Sequence, residues 1–378
     1  MDARCPFKYG PVALDEAFTD REAELAELVA DALNGQDVVI FAPRRYGKTS
    51  LVRRAAQRLL SEHALVAAVD LWTTPSKERL AAHLAREVAE ITGLGGRLRE
   101  LAQLFSGLRV TPVMNLDPSD GSVSFSFGVG HAAADIDQTL ERLLGLFGET
   151  AAERRRAVVV ILDEFQEITE IDAGLTRLMR AAFQDQPEVS HIYLGSKRHL
   201  MERIFSDANE PFWRSAKRVE LGPIPSEHFA SFIAAGFRGT GRGIEEAMIS
   251  RVLALTGGHP YATQQLCYFL WAQTDAGAAV DAQRLEQALA RLLISEDSHF
   301  GDIWDRCTAN QRIVLTALAA EPGRPFSAAY AQRHGLRSAS VTQRALSGLA
   351  AAEIVVRDGS YTRIAEPFLA EWITLRGL

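Results

Sequence analysis

The sequence predicts an α/β fold in which a parallel sheet is covered by helices on both faces. Three observations predict it. Short apolar runs recur near residues 38–42, 65–71, 157–163, 191–196 and 217–221. Helical segments such as Lys77 to Thr92 and Gln138 to Phe147 separate them. Two of the runs end abruptly in polar clusters, Gly47-Lys48-Thr49 after the first and Asp163-Glu164 after the third. Strands apolar along their whole length belong in a sheet buried on both faces, and strand–helix alternation makes that sheet parallel.

The first element is a helix after Asp20, a candidate cap, with apolar residues at Leu25, Leu28, Val29, Ala32 and Leu33. The first strand, Val38-Val39-Ile40-Phe41, runs into Ala42-Pro43-Arg44-Arg45-Tyr46-Gly47-Lys48-Thr49-Ser50, and a basic helix follows from Leu51. Strand, loop, Gly-Lys-Thr and helix are the context of a phosphate-binding loop. Backbone amides of residues 42–50 would cradle phosphate oxygens at the positive end of the helix. Lys48 would reach the β- and γ-phosphates and Thr49 would place its hydroxyl on Mg²⁺. The pattern ordinarily opens with glycine. Here the position is Ala42, so either its φ is negative or the loop is strained there.

The third run, Val158-Val159-Val160-Ile161-Leu162-Asp163-Glu164, supplies the second half of this chemistry. Carboxylates at the carboxyl end of a buried parallel strand lie where α/β sheets bind ligands. Asp163 would hold Mg²⁺ through its water shell, and Glu164 would polarise an attacking water. A nucleoside triphosphate with Mg²⁺ is the expected ligand, and hydrolysis of its terminal phosphate the expected reaction.

Composition bounds the remainder. The 378 residues suffice for two or three domains. A formal net charge of −7 excludes a globally basic nucleic-acid binder but leaves room for a local basic patch. Cys5, Cys267 and Cys307 are scattered, with no disulfide or zinc spacing. No apolar leader or membrane-length run is visible, so the expected compartment is the cytoplasm, with no membrane partner.

Three further segments are legible. Between the second and third strands, residues 107–131 read as a β-hairpin insertion, with Val123, Phe125, Phe127 and Val129 alternating at period two. Its apolar face either packs on the domain or docks a partner. Residues 223–300 read as a helical lid, with Ser226 a candidate cap and Gly257-Gly258-His259-Pro260 a break before the next helix. His259 has no companion ligand in sequence, which favours a turn or phosphate-facing role. Residues 301–378 read as three helices and a hairpin with an Asp358-Gly359 turn, a winged helix-turn-helix. Its third helix carries Ser338, Ser340, Thr342, Gln343 and Arg344, and Arg357 and Arg363 lie on the wing. From residue 308 on, eight arginines face five carboxylates, a modest basic bias. DNA and protein partners both remain open for this module.

Several of these segments together resemble the archaeal-type ATPases, in the STAND branch of AAA+-related P-loop proteins. The matching stretches are Phe7-Lys8-Tyr9-Gly10-Pro11, Phe18-Thr19-Asp20-Arg21-Glu22, Ala42 to Leu51, and Leu162-Asp163-Glu164-Phe165-Gln166. Pro211-Phe212-Trp213-Arg214 and Gly257-Gly258-His259-Pro260-Tyr261 complete the set. The resemblance implies a P-loop NTPase sheet in order 5-1-4-3-2, a nucleotide-binding domain over 1–222, a helical lid and a C-terminal winged helix. It implies that Ser196 acts as the polar sensor of the γ-phosphate. Arg214 would stabilise transition-state charge, in cis or on a neighbouring subunit, and the His259-Pro260 turn would respond to nucleotide. The function it implies is an ATPase switch with output through the winged helix and a nucleotide-dependent homo-oligomer. A DNA-binding regulator with structural nucleotide and a scaffold for signalling or defence assemblies are the alternatives.

Overall fold

The computed structural model describes residues 4–10, 20–93, 98–106, 108, 110–116, 123–129 and 135–377. The chain divides into two compact units. One holds Glu22–Ala42 and Leu51–Leu221; the other holds the N-terminal segment to Arg21, the loop Pro43–Ser50 and Gly222–Leu378.

The first unit is the α/β layer. Helix α1 (Glu22–Leu33) leads to β1 (Val38–Phe41), and α2 (Lys48–Ser61) to β2 (Leu65–Asp70). Helices α3 (Lys77–Ile91) and α4 (Leu98–Leu104) precede a hairpin of β3 (Val110–Leu116) and β4 (Val123–Val129). After α5 (Ile136–Arg154) come β5 (Val158–Asp163), the short α6 (Ile168–Ile171), α7 (Leu175–Gln184) and β6 (Val189–Gly195). Helix α8 (Arg198–Ser206) and β7 (Lys217–Glu220) complete the unit.

All five sheet strands are parallel, in the order β2-β5-β6-β1-β7. With the hairpin strands left out of the count this is 5-1-4-3-2, read from the other edge. The central strands are the most apolar because they are covered on both sides: every residue of β1 and β6 is buried, as is β5 up to Asp163. Each buried Val, Ile or Leu there contributes about 1.5–3 kcal/mol. Helix α3 begins where Ser76 accepts the Arg79 N–H, and it buries Leu80, Leu84, Val88 and Ile91, one apolar stripe at helical spacing. Helix α5 runs well beyond the expected Gln138–Phe147 because Asp135 caps it and Thr150 and Ala151 stay buried.

The hairpin over 107–131 forms as expected, with Val110 paired to Val129 and Leu116 to Val123. Phe127 packs edge-on against Phe105, and β4 lies along α3. That is the packing role for this face at Phe127. The turn and the side chain of Phe125 lie outside the described residues.

The second unit is helical. Helices α9 (Ser226–Gly239), α10 (Glu246–Thr256), α11 (Pro260–Ala272), α12 (Ala282–Ser295) and α13 (Asp297–Arg306) form the lid segment. Pro225, not Ser226, occupies the first cap position, without a side-chain bond. Asp20, read as a helix cap, bonds His228 Nδ1 at 2.7 Å. Phe7 packs edge-on against Phe232 and tilted against Phe237, which anchors the N-terminal segment on α9.

The winged helix consists of α14 (Ala309–Ala320), α15 (Ala328–Arg333), α16 (Ala339–Ala351), β8 (Val355–Asp358), β9 (Tyr361–Ile364) and α17 (Pro367–Leu375). Thr308 and Gln311 cap α14 reciprocally, and Ser327 caps α15. Along α16, Ser338, Ser340, Gln343 and Arg344 are exposed, but Thr342 is buried. Thr342 shares the inner face with Ala345, Leu346 and Leu349, so it is not a candidate for outside contacts. Tyr330 Oη donates to the Glu321 carbonyl, and Trp372 Nε1 donates to Asp297, both at 2.7 Å, which fastens α15 and α17.

Candidate functional site: a phosphate-binding loop and an acidic strand end

In the α/β unit, the parallel register brings the carboxyl ends of β1, β5, β6 and β2 to one edge. Phe41 pairs with Gly195, Leu162 with Tyr193 and Asp70 with Asp163. Ala42 continues directly from β1 at this edge. Asp163 is half-exposed and its Oδ1 accepts the Glu164 N–H at 2.9 Å.

Glu164 has a left-handed backbone, φ 52°. The cause lies in the next residue. Phe165 is fully buried and packs on Tyr193, Phe205 and Phe212 at 4.8, 5.8 and 5.2 Å between ring centroids. Turning Phe165 under the sheet edge, into a 3₁₀ turn over Phe165–Glu167, forces the chain to reverse at Glu164. Its carboxylate then meets the end of β6: Oε2 accepts from Ser196 Oγ at 2.7 Å and from Ser196 N at 3.2 Å. The structure therefore brings Asp163, Glu164 and Ser196 together.

Arg214 is elsewhere. It lies just before β7 begins, where Lys217 N donates to the Asp37 carbonyl at the start of β1. That is the edge at which the strands begin, opposite Asp163 and Ser196, so the cis role expected as one alternative is not supported by the geometry. Its guanidinium lies over exposed Trp213, 5.3 Å from the ring centroid.

The loop Pro43–Ser50 belongs to the helical unit. Ala42 has negative φ; the left-handed positions are Arg45, φ 65°, and Gly47, φ 84°. The missing first glycine thus causes no strain at 42, and Gly47 supplies the freedom that the turn into α2 requires. Lys48 is buried and its Nζ donates to the Pro43 carbonyl at 3.3 Å, folding the ammonium over its own loop. The first turn of α2 carries no acidic residue, so its amide end keeps its positive field. Arg44 is exposed and Thr49 half-exposed, whereas Ser50 is buried.

Arg45 and Tyr46 reach the lid and the winged helix. Arg45 Nη1 pairs with Glu366 Oε1 at 2.7 Å, and its guanidinium covers Tyr261 at 4.4 Å. Tyr46 is buried, stands edge-on to His259 at 4.6 Å, and accepts a hydrogen bond from Arg363 Nη2 at 2.7 Å. Arg363, on the wing, therefore points at the loop. The same neighbourhood forms a crevice lined by Arg45, His259, Tyr261, Gln265, Glu296 and Glu366, among others.

His259 caps α11, its Nδ1 accepting the Ala262 N–H at 3.3 Å, and Pro260 occupies the first turn. Gly257 and Gly258, both left-handed, make the tight break before it. Burial, then the nearby Arg363 and Arg45 charges, push the His259 pKa down to about 3. The ring is neutral at physiological pH. With Nδ1 accepting, its proton sits on Nε2.

Thr49 in one unit and Asp163 in the other each carry a hard oxygen, the donor type that Mg²⁺ takes, ordinarily one or two from protein with phosphates and waters completing the octahedron. Among the described residues no cluster of three or more His, Cys, Asp or Glu forms a metal cage. No helix among them is long and apolar enough to cross a membrane.

A Gly-Lys-Thr loop after the second strand from one edge of a parallel 5-1-4-3-2 sheet, with an Asp-Glu strand end two strands away, defines a P-loop NTPase. The chain belongs to the family of ATPase domains predominantly from Archaea, whose model matches residues 18–266. A model described as a probable winged helix domain matches residues 298–375. Among solved structures, the chain is similar to the Walker-type ATPase PABY2304 of Pyrococcus abyssi, with a TM-score of 0.67 at 18% identity, covering 97% of this chain and 99% of that one. It is also similar to the Aeropyrum pernix ORC2 protein in ADPNP-ADP complexes, with a TM-score of 0.57 at 16% identity and 98% coverage of both. These likenesses establish the fold. No curated protein matches. As a member of the family, the chain is a nucleotide-binding ATPase.

Three site contacts escaped the sequence. Gln166, fully buried, donates to Glu164 Oε2 at 2.5 Å. Glu366 and Arg363 hold the loop from 321 and 317 residues away. The first could be suspected from a polar residue inside an otherwise apolar turn; the other two carry no local signal.

Proposed function

We propose that this protein is a slow, cytoplasmic ATPase that works as a nucleotide-dependent switch with its output through the winged helix. Residues 42–50 bind the phosphates through backbone amides, and Lys48 leaves the Pro43 carbonyl for the β- and γ-phosphate oxygens. Thr49 and Asp163 hold Mg²⁺, which when bound neutralises charge on the phosphate oxygens. Glu164 takes the proton of the attacking water, and Ser196 exchanges its bond to Glu164 for one to the γ-phosphate. Arg214 serves a neighbouring subunit in a nucleotide-dependent homo-oligomer.

The observation that carries the switch reading is the double tie of the loop. Arg45 and Tyr46, flanking the bend that must receive phosphate, are bonded to Glu366 and Arg363 of the winged helix. A ligand that reorders this loop disturbs those bonds, and ATP and ADP differ in how far they do so. The test is ATP binding and turnover in three proteins. Wild type binds and hydrolyses; Lys48→Ala loses binding; Glu164→Gln binds without turnover. Wild-type binding by Lys48→Ala, or wild-type turnover by Glu164→Gln, would overturn the assignment.

The exposed stripe Ser338, Ser340, Gln343 and Arg344, together with Arg357 on β8, favours DNA as the output partner. Duplex binding should weaken steeply with salt, and Arg344→Ala should reduce that slope by about 0.9. No binding at low salt would leave a protein as the partner.

A further inference from the structure

We infer that Gln166 is a positioning residue for Glu164, setting the direction of the carboxylate that activates water. The inference rests on the reading of Glu164 as that base.

Gln166 sits in the first turn after β5 and is completely buried. An amide is costly to bury, so its placement here requires partners. Nε2 donates to Glu164 Oε2 at 2.5 Å and to Glu167 Oε1 at 3.2 Å. Both amide hydrogens therefore point at carboxylates, which fixes which end of the amide is nitrogen. The carbonyl end, Oε1, is buried with no hydrogen-bond partner. The side chain gives up one acceptor in order to present two donors.

The donors close a network. Lys197 Nζ binds Glu167 Oε1 at 2.8 Å, and the adjacent Ser196 binds Glu164. Two consecutive residues at the end of β6 thus grip two carboxylates of the following turn, and Gln166 bridges those carboxylates from below. Glu164 Oε2 accepts from Ser196 Oγ, Ser196 N and Gln166 Nε2 together. Of these donors, Ser196 also faces the phosphate in the proposed mechanism. When Ser196 turns away, Gln166 keeps Glu164 oriented. It does so from a position that never touches substrate.

A carboxylate held by fixed donors keeps one direction. Removing Gln166 therefore misdirects Glu164, without altering the loop that binds ATP. General-base contributions of about 10²–10⁴ are sensitive to such misplacement.

The test uses the full chain with Mg²⁺ and ATP. Gln166→Met keeps length and volume and removes the donor; Gln166→Asn keeps the amide but retracts it. Both are first checked for a wild-type melting transition. The expected result is a kcat about tenfold lower with a KM within twofold of wild type. In a Glu164→Gln background, Gln166→Met should add no further loss. A folded variant, of either kind, with wild-type kcat overturns the inference while leaving Glu164 as base intact. Retained turnover in Glu164→Gln alone overturns both.

Discussion

Arg363 on β9 donates to the phenol oxygen of Tyr46 at 2.7 Å, so the wing of a winged helix holds a phosphate-binding loop by one of its own side chains. A charged donor and a neutral acceptor, half-buried, contribute about 1 kcal/mol here. If nucleotide must open this bond, Tyr46→Phe should tighten ATP binding about fivefold while its ring still packs on His259. Titration calorimetry of wild type, Tyr46→Phe and Arg363→Met measures the effect. Equal affinities in all three would mean that the bond survives nucleotide binding.

His259 gives a pH dependence of defined sign. Its folded pKa, about 3, lies below the ordinary 6.5, so the unfolded chain binds the extra proton between these values. Its neutral state stabilises the fold fully above pH 6.5, and that contribution is lost as the pH falls towards 3. The slope is about 1.4 kcal/mol per pH unit. His259→Asn keeps an acceptor for the Ala262 N–H and removes the titration. Between pH 7.5 and pH 5, wild type should lose about 2 kcal/mol more unfolding free energy than the variant. Parallel losses would assign the acid sensitivity to another group.

What was legible in the sequence, and what was not, follows from range. The strand runs, Gly47-Lys48-Thr49 and Asp163-Glu164 are local patterns, and the structure forms each where its residues stand. Thr342 was grouped with the polar residues Ser338, Ser340, Gln343 and Arg344, although its spacing to Ala345, Leu346 and Leu349 marks an inner face. The contact from Arg363 to Tyr46 was not legible because a wing arginine alone does not show what lies beyond it. Gln166 went unnoticed as a partner of Glu164 because a two-residue separation across a 3₁₀ turn has no repeat to reveal it. The opposite-edge position of Arg214 required the strand directions, which the resemblance implied but the residues around 214 do not.

That position makes the role of Arg214 a question of assembly. An arginine at the edge where strands begin, stacked on exposed Trp213, is available to a second copy. Arg214→Ala and Glu164→Gln should each be inactive alone. Mixed one to one, and exchanging subunits as dimers, they should recover about a quarter of wild-type turnover, because half the dimers carry one intact composite site of two. Mixtures as inactive as their components would remove the trans contact.

The final prediction concerns the space beneath Glu164. A Cβ at Gly195 would collide with Gln166 Oε1 and lie 2.5 Å from Met201 Cγ. Gly195 ends β6, immediately before Ser196, so its missing side chain is the room into which the Gln166 amide fits. Gly195→Ala must displace that amide or the Met201 side chain, at a cost of about 1–3 kcal/mol. Displacing the amide lengthens its bond to Glu164. Turnover should therefore fall while ATP affinity stays near wild type. Gly145→Ala in α5 is the control, since nothing lies within 4 Å of its added Cβ and helix propensity favours alanine by about 1 kcal/mol. Thermal melting and kcat measured together decide the matter. A Gly195→Ala protein that melts and turns over like Gly145→Ala would show that Met201 yields and that the amide keeps its place.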